Sequence, residues 1–406
     1  MPLFVSVVLL FVPTATQFAA AADQEVVKTV ADKIAAETKK QLTLHSQTSV
    51  AVGEFTGPAR ALPNGLGLAI QYALIRSLET SGVTIDRKAR FELKGDFTLQ
   101  IKEGSAGLRV SPRLIDTDNS KADELSMTSD YCSVYDLLIL TGATANIALP
   151  QWRDQYDDLL PTIIQAAQET PAVFVSGSEM RSKKESPFGV EILVKQRADG
   201  PTQAVTPRVE NGMAYAPIGR DQFYEVRVIN RSEYEVGVTL TIDGLDLFTF
   251  SDIRSEKTGE PKYRRLVFAK GQSYAVQGWY RTGDRADSFV VTSYAKSAAA
   301  EKLVKPSGRT GTITVTFAAA WNKKEGKPPA DEPGKRKRPS VSGDGTGRGD
   351  DVQQLVQGTG RGKEVETQQL VQGTGRGKEV ETQLQEATSP YEHGVIRDVV
   401  TVRYAK

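Results

Sequence analysis

The apolar positions of the chain change their period several times, and each change marks a predicted element. Residues 24–42 carry apolar side chains near helical spacing among good helix formers, which predicts an amphipathic helix. Residues 48–55 form a short run that contains several β-branched side chains, which predicts a strand. Helical spacing returns over residues 65–78 and stops before Gly82, a typical helix end. The chain therefore begins with a helix, a strand and a second helix.

The following residues predict strands first and helices afterwards. Apolar and polar residues alternate in the longer runs, as half-buried strands require, and turn-forming residues follow at 116–119. The predicted strands are 83–85, 91–101 and 108–115, and the predicted helices are 134–149 and 152–167. This order favours an α/β layered domain over residues 23–170.

From residue 188 onward the pattern changes to short strands that recur about every 8 to 12 residues with no helix between them. Their predicted ranges are 190–195, 212–216, 222–229, 236–242, 245–250, 263–268, 273–280, 288–294 and 311–318. This spacing favours a β-sandwich domain over residues 188–321, joined to the first domain by a linker at 171–187. The pair Asp243-Gly244, flanked by alternating apolar residues, is the strongest hairpin signal in this region.

Residues 322–394 predict a disordered low-complexity insertion. Basic and acidic residues balance there and Tyr391 is the only aromatic, so little apolar surface offsets the entropy of ordering the segment. The sequence QQLVQGTGRGKEVET at 353–367 recurs letter for letter at 368–382. Two copies are too few for a solenoid, which needs at least about three units.

The final segment, residues 395–404, alternates again and predicts a strand. An apolar strand would promote aggregation if it were left unpaired, so we expect it to pair near residues 311–318 and complete the sandwich. Its apolar side chains Ile396, Val400, Val402 and Tyr404 should then face the core. On the opposite parity, Arg397 and Arg403 should point outward.

The amino terminus predicts a signal peptide over residues 1–22. An apolar run at 3–12 is too short to span a bilayer about 30 Å thick, and small residues precede a cleavage site expected after Ala22. No lysine or arginine precedes the run. A buried amino-terminal helix or an uncleaved anchor is the alternative.

Composition narrows the classes of function. The chain has 51 basic and 50 acidic residues, a net charge of +1, which disfavours a strongly basic nucleic-acid binder. Its hydrophobic fraction of 39% excludes a wholly disordered protein. The single cysteine, Cys132, excludes a disulfide scaffold, a multi-thiolate metal site and a lipid anchor at the cleavage point.

Several short motifs are weaker than they look. GTGRGK at 358–363 and 373–378 lacks the first glycine and the final hydroxyl residue of a phosphate-binding loop, so a flexible linker is favoured. The basic run 335–338 fits weak contact with an anionic envelope polymer, or simply a solvated linker. The adhesion-like tripeptide at 348–350 and the glycosylation sequon at Asn230 are weak signals.

Residues suited to catalysis are scarce. His45 and His393 are the only histidines, and neither lies beside a nucleophile motif. Cys132 is interpreted as buried rather than reactive. Trp279 and Tyr280 could form a sugar-stacking platform, but neighbours on a strand face opposite sides, so at least one should lie in the core. We predict no catalytic, cofactor-binding or metal-binding residues.

The first domain resembles a known envelope family. The resemblance rests on VAVGEF at 50–55, the helix end LETSG at 78–82, VTIDRK at 83–88, ARFELKGDFT at 89–98 and LRVSPRLIDTD at 108–118. These segments are similar to the periplasmic domain of curli-secretion channel subunits, penicillin-binding-protein activator lipoproteins and the TolB amino-terminal domain. The resemblance covers residues 45–150 and implies an α/β domain that binds other envelope proteins without catalysis.

These features lead to one hypothesis and two alternatives. We expect an exported, non-enzymatic bacterial protein, periplasmic or secreted, that scaffolds or regulates secretion or peptidoglycan synthesis by binding other envelope proteins. The first alternative is a β-sandwich module that binds polysaccharide or peptidoglycan, and the second is an envelope hydrolase. No cofactor, no nucleic-acid partner and no transmembrane span after signal cleavage are expected.

Overall fold

The computed structural model describes residues 7–9, 22–57, 66–102, 105–132, 144–147, 149–151, 163, 166–167, 172–256, 259, 261–302, 310–324, 326–334, 372–386 and 391–404. Among these described residues, strands hold 48% and helices 16%, so this part of the protein is mostly β, and its strands form several sheets.

The amino-terminal elements build a six-stranded sheet covered by two helices. The elements of this part of the chain are β1 (Val7–Leu9), α1 (Ala22–Leu44), β2 (Ser49–Thr56), α2 (Leu66–Thr80), β3 (Thr84–Ile85), β4 (Phe91–Lys102), β5 (Ser105–Asp116), β6 (Lys121–Glu124), β7 (Thr128–Cys132) and β8 (Ala145–Asn146), of which β1 and β8 pair outside this sheet. The sheet runs β3-β2-β4-β5-β6, with β7 also paired to β5. Ile34 of α1 and Leu74 of α2 are buried in the same core as Leu93 and Phe97 of β4. The two predicted helices, the strand between them and the end at Gly82, where φ is +85°, are confirmed.

The other face of this sheet is polar. Asp96 of β4 accepts hydrogen bonds from Arg113 of β5 at 2.8 Å and from Thr56 of β2 at 2.5 Å. Along β4 the buried residues Phe91, Leu93 and Phe97 therefore alternate with partly exposed or exposed polar neighbours, as the sequence predicts.

The remaining elements form a nine-stranded sheet and, together with β1 and β8, a ten-stranded sheet. They are β9 (Phe174–Ser176), β10 (Glu179–Arg181), β11 (Phe188–Lys195), β12 (Gln203–Ala204), β13 (Arg208–Glu210), β14 (Met213–Tyr215), β15 (Phe223–Asn230), β16 (Glu235–Ile242), β17 (Leu245–Asp246), β18 (Leu266–Phe268), β19 (Ser273–Val276), β20 (Gly278–Tyr280), β21 (Arg285–Ser293), a 3₁₀ helix (Tyr294–Lys296), α3 (Ala298–Glu301), β22 (Thr312–Asn322), β23 (Gln372–Glu381), β24 (Leu384–Glu386) and β25 (Tyr391–Arg403).

Aromatic side chains connect the two larger sheets. The nine-stranded sheet runs β20-β21-β15-β11-β10-β9, and the ten-stranded sheet runs β13-β14-β25-β22-β16-β18-β1-β24. Phe188 of β11 stacks on Phe317 of β22 with ring centroids 4.9 Å apart. The ring centroids of Tyr224 of β15 and Tyr404 are 5.9 Å apart. The core of this part therefore lies between the two sheets.

Two predicted strand pairings are confirmed, one local and one long-range. Ile242 pairs with Leu245 across the two-residue turn Asp243-Gly244, whose φ angles of +53° and +79° suit a hairpin turn that needs two left-handed residues. The final strand pairs antiparallel with β22, from Thr312 opposite Arg403 to Asn322 opposite Tyr391.

The predicted outward position of Arg397 is wrong. Arg397 is 3% exposed and forms ion pairs with Asp331 at 2.9 Å and Glu332 at 2.6 Å. The described segment 326–334 covers this face of β25, so both faces of the strand are buried. The alternation of residues along β25 therefore does not separate buried from exposed side chains.

The predicted disorder of residues 322–394 is wrong for much of what the structure describes there. Residues 372–381, most of the second repeat copy, form β23, which pairs antiparallel with β21. Gly373, Thr374 and Gly375 are buried in this strand. Its burial involves glycine and threonine rather than large apolar residues, so hydrophobicity did not reveal it. The first copy, residues 353–367, lies outside the described residues.

The predicted boundaries between the domains also need correction. Residues 171–187 were expected to be a linker, but β9 and β10 lie there and extend the nine-stranded sheet. Ala145 and Asn146, within the predicted helix 134–149, form β8 and pair with β25. Most of the predicted helix 152–167 lies outside the described residues.

The amino-terminal apolar run contributes a short strand. Val8 pairs with Val267 of β18, and β1 runs parallel to β24 on its other side. Cleavage after Ala22 would remove β1. A mature chain without the signal peptide would therefore lack the pairing of β1 with β18 and β24. The signal peptide stays a prediction.

Candidate binding cleft

A cleft of about 330 Å³ lies between α2 and the β-rich part of the chain. Its walls come from α2, from the segment after the Asp243-Gly244 turn, and from the end of α3. We call it the α2 cleft and define it by its charged lining residues Arg76, Glu79, Asp246, Arg254, Arg264, Glu301 and Lys302.

The α2 cleft has a mixed but positive lining. Four of its charged residues are basic and three are acidic, which leaves an excess of one positive charge. The basic side chains come from three separate segments, so the fold brings together charges that lie up to 226 positions apart in the chain (residues 76 and 302).

Backbone oxygens hold Arg254 in place at the rim of the cleft. Its two terminal guanidinium nitrogens donate to the carbonyl oxygens of Gly259 and Thr249, each at 3.0 Å. Neither acceptor carries a negative charge, so these bonds orient the guanidinium without neutralising it.

The surroundings of Lys302 disfavour its positive charge. Burial lowers the pKa of its amine, and the neighbouring cations Arg254, Arg376 and Arg76 lower the pKa further, while Glu301 opposes them. The amine lies 4.9 Å from the centroid of the Phe250 ring. A bound anion would relieve the repulsion among these cations, so the cleft suits a carboxylate or another anionic group.

Contacts from distant parts of the chain position α3 beside the cleft. The side chain of Ser297 accepts a hydrogen bond from the Ala300 amide at 3.1 Å and caps the helix. Arg87, from the amino-terminal part, donates to the Ala300 carbonyl at 2.6 Å. Arg376 of the repeat strand β23 bonds Glu301 at 2.8 Å.

The aromatic pair considered for sugar stacking lies in the core. Trp279 and Tyr280 are 0% and 1% exposed. Trp279 makes edge contacts with Phe250 and Phe289, each at 5.4 Å between centroids, and its indole nitrogen donates to the Gly375 carbonyl at 3.2 Å. A platform for an external sugar is therefore wrong for both residues.

Neither histidine is among the residues that line the α2 cleft, and the two have different environments. The Nε2 atom of His45 lies 2.8 Å from Asp123, and its ring contacts Phe91 at 4.8 Å. His393 is half-buried as a residue, and burial of its ring holds the pKa of the ring well below its usual value. Cys132 ends β7, and its side chain lies outside the described part of the structure.

The remaining sequence motifs do not meet in one place. Asn230 is fully buried, and its side-chain amide donates to the carbonyls of Tyr234 and Ala269, each at 2.9 Å, so the folded chain cannot be glycosylated there. The second GTGRGK lies in a strand rather than between a strand and a helix, which agrees with its rejection as a phosphate loop. Residues 335–338 and 348–350 lie outside the described residues.

No protein-family model and no curated protein matches the chain. Within the described residues, no three histidine, cysteine, aspartate or glutamate side chains come together as metal ligands. The described helices include none with the length and hydropathy of a membrane span.

Sequence reasoning missed the α2 cleft entirely. Arg254 lies in a polar stretch between two predicted strands, Arg264 lies in the predicted strand 263–268, and Arg376, which neighbours Lys302, lies in a segment predicted to be disordered. Their clustering depends on tertiary contacts, and the spacing of charges along the chain carries no signal for it.

Proposed function

We propose that this protein is a non-enzymatic component of the bacterial cell envelope, periplasmic or secreted, that scaffolds or regulates an envelope assembly by binding other proteins. The observation that carries the proposal is the mixed-charge lining of the α2 cleft. A protein surface with both signs of charge can satisfy its basic and its acidic side chains at once.

The distribution of exposed apolar residues supports a polar mode of contact. Among the described residues, the large hydrophobic side chains that are about half exposed or more are Leu44, Met127 and Val209. They belong to separate elements. The contact surface of this protein is therefore expected to be charged, as in partners that associate and dissociate.

The finer architecture belongs to the same proposal. We interpret the six-stranded sheet with α1 and α2 as the α/β layered domain that resembles the curli-secretion, activator-lipoprotein and TolB domains. The two larger sheets are interpreted as a β-sandwich, and the core between them supports this.

A second candidate function is binding of an anionic polysaccharide or peptidoglycan. The excess positive charge around Lys302 favours it, since carboxylated sugars would relieve the repulsion there. The three acidic lining residues, Glu79, Asp246 and Glu301, oppose a uniformly negative polymer. This contrast ranks the protein partner above the polysaccharide, and an envelope hydrolase stays last.

The test compares charge reversal inside and outside the cleft. The double variant Arg76→Glu, Lys302→Glu changes the lining, whereas Lys88→Glu, Arg197→Glu makes the same charge change on exposed side chains. Quantitative cross-linked pulldown from envelope extract should lose a protein partner with the first variant and retain it with the second. Equal retention by both variants would contradict the proposal. Loss of signal on a glycan array instead would favour the second candidate.

A further inference from the structure

We propose that the groove beside β21 is a docking site for the repeat sequence itself. The first copy, residues 357–366, exchanges within one chain with the second copy, residues 372–381, which occupies the groove as β23. The inference does not depend on the proposed function.

The docked copy pairs along the length of β21. The register runs from Arg285 opposite Glu381 to Ser293 opposite Gln372, with one irregularity between Asp287 and Phe289. The groove is therefore a sheet edge that recognises an extended peptide through its backbone, as in β-augmentation.

Close packing selects for glycine at alternate positions of the docked strand. A Cβ atom added to Gly375 would lie 2.9 Å from the Thr292 side chain and 3.1 Å from the Lys296 carbonyl oxygen. A Cβ on Gly377 would lie 3.0 Å from the Ser288 carbonyl oxygen, and one on Gly373 would lie 2.9 Å from the Ser297 side chain. The groove thus selects for glycine at positions 373, 375 and 377, because a larger residue at any of them would collide with the groove.

Thr374 between these glycines joins a buried polar network. Its amide donates to Asp243 at 3.1 Å, and its hydroxyl bonds Tyr224 and Tyr404, each at 2.7 Å. Tyr404 in turn donates to Asp243 at 2.7 Å. Asp243 also accepts from the amide of Gly311 at 2.6 Å. An empty groove would remove the hydrogen bonds of Thr374 to Tyr224 and Tyr404 and one of the donors to Asp243, so occupancy is favoured.

Arg376 adds a charged contact at the outer side of the docked strand. Its guanidinium bonds Asp287 at 2.6 Å and Glu301 at 2.8 Å. It also lies 4.5 Å from the centroid of the Phe250 ring. Recognition of the repeat therefore uses shape, a buried hydroxyl and a guanidinium together.

Every one of these recognition elements has an identical counterpart fifteen positions earlier. The counterparts are Gly358, Thr359, Gly360, Arg361 and Gly362. The two copies offer the groove the same side chains in the same order, so contacts within the docked segment cannot distinguish them. One groove and two identical sequence copies leave one copy in excess in each chain.

Only the connecting segments differ between the two arrangements. Docking of the first copy shortens the connection from the described segment ending at Gly334 and lengthens the connection to β25 by the same fifteen residues. Closure entropy depends on the logarithm of loop length, so these opposing changes bias the equilibrium by only about a few fold. The pairing of β24 with β1, which directly follows the second copy, adds to the preference for that copy.

The test is a cycle of matched glycine variants in the full chain. Gly375→Val blocks the second copy, Gly360→Val blocks the first, and the third variant carries both changes. We expect each single variant to melt within about 2 °C of the parent protein and the double variant to melt at least about 5 °C lower. A Gly375→Val protein that is destabilised as much as the double variant would overturn the exchange.

A cross-link identifies the occupant directly and stays informative if the double variant does not fold. In a Cys132→Ser background, Ser293→Cys is combined with either Gln357→Cys or Gln372→Cys, because Ser293 lies opposite Gln372 in the register. Both pairs should form an intramolecular disulfide detectable by peptide mapping. Formation by the Gln372 pair alone, or only between two chains for the Gln357 pair, would overturn the proposal.

Discussion

The strands β25 and β23 lie in the same carboxyl-terminal part of the chain, yet different forces hold them. β25 is rich in apolar residues, and Ile396, Val399 and Val400 are completely buried. β23 buries Gly373, Thr374 and Gly375 instead, and its anchor is the hydrogen-bond network around Asp243. A strand can therefore be buried either because its residues are apolar, as in β25, or because they are small enough to fit, as in β23. A hydrophobicity pattern detects only strands of the β25 kind.

The largest expected effect is loss of β25. A chain that ends at Trp321 lacks Ile396, Val399, Val400 and Val402, and each buried side chain of this kind contributes about 1.5–3 kcal/mol. It also lacks β23. We expect no cooperative thermal transition, measured by circular dichroism.

The matched control for this truncation deletes Gln353–Thr382 and so removes both repeat copies but keeps β25. This variant should fold with a clearly lowered melting temperature, because β21 loses its partner strand. Equal melting temperatures for the parent and the deletion variant would contradict an ordered β23.

The next largest effects are expected from two substitutions, one at Asp243, which anchors β23, and one at Ile396, a buried residue of β25. Asp243→Ala removes the buried carboxylate that accepts from Gly311, Thr374 and Tyr404, and we expect a loss of about 3 kcal/mol or more. Ile396→Ala, which leaves a cavity beside β25, should cost about 2–5 kcal/mol. Urea unfolding at equilibrium measures both. An Asp243→Ala loss below about 1 kcal/mol would mean that the network does not hold β23.

Asp398 on β25 predicts a pH dependence of stability. Burial raises the pKa of its carboxyl to about 7, against hydrogen bonds from Ser182 at 2.7 Å, from Ser186 and from Asn146. Between the unfolded pKa near 4 and the folded pKa near 7, the folded state binds the extra proton. Stability should therefore decrease as the pH rises through this window, by at most about 1.4 kcal/mol per pH unit from this group.

The control for this pH dependence is Asp398→Asn, which keeps the shape of the side chain but cannot ionise. Melting temperatures between pH 4 and pH 8 should fall less steeply for Asp398→Asn than for the parent protein. Parallel curves for the two proteins would assign the pH dependence to other groups.

The smallest expected effect is removal of a single repeat copy. Because the copies are identical, deletion of residues 353–367 and deletion of residues 368–382 give the same protein. One copy suffices to fill the groove, so the free energy of unfolding should change by less than about 1 kcal/mol. Thermal and urea unfolding provide the measurement, and a loss as large as that from deleting both copies would contradict the equivalence.

Periodicity was sufficient for the elements whose burial follows from apolar residues. The helices α1 and α2, the alternation in β4, the Asp243-Gly244 hairpin and the pairing of β25 with β22 were all predictable. In each of these, local spacing or turn chemistry carries the information without knowledge of the distant chain.

The sequence could not predict features that depend on what covers a residue. Arg397 resembles a solvent-facing residue until Asp331 and Glu332 approach it, and they lie more than sixty positions away. Gly373 and Gly375 resemble a flexible linker until Ser297 and Thr292 close around them. The charges of the α2 cleft likewise meet only through tertiary folding.

Hydrogen exchange tests most directly the claim that the repeat is a folded strand. The variant with one repeat copy avoids ambiguity, because two identical copies would give peptides of equal mass. We expect the amides corresponding to residues 373–380 to exchange as slowly as those of β21, since β21 and β23 pair along this length. Exchange of these amides at the rate of an unstructured peptide, with β21 still protected, would contradict that claim.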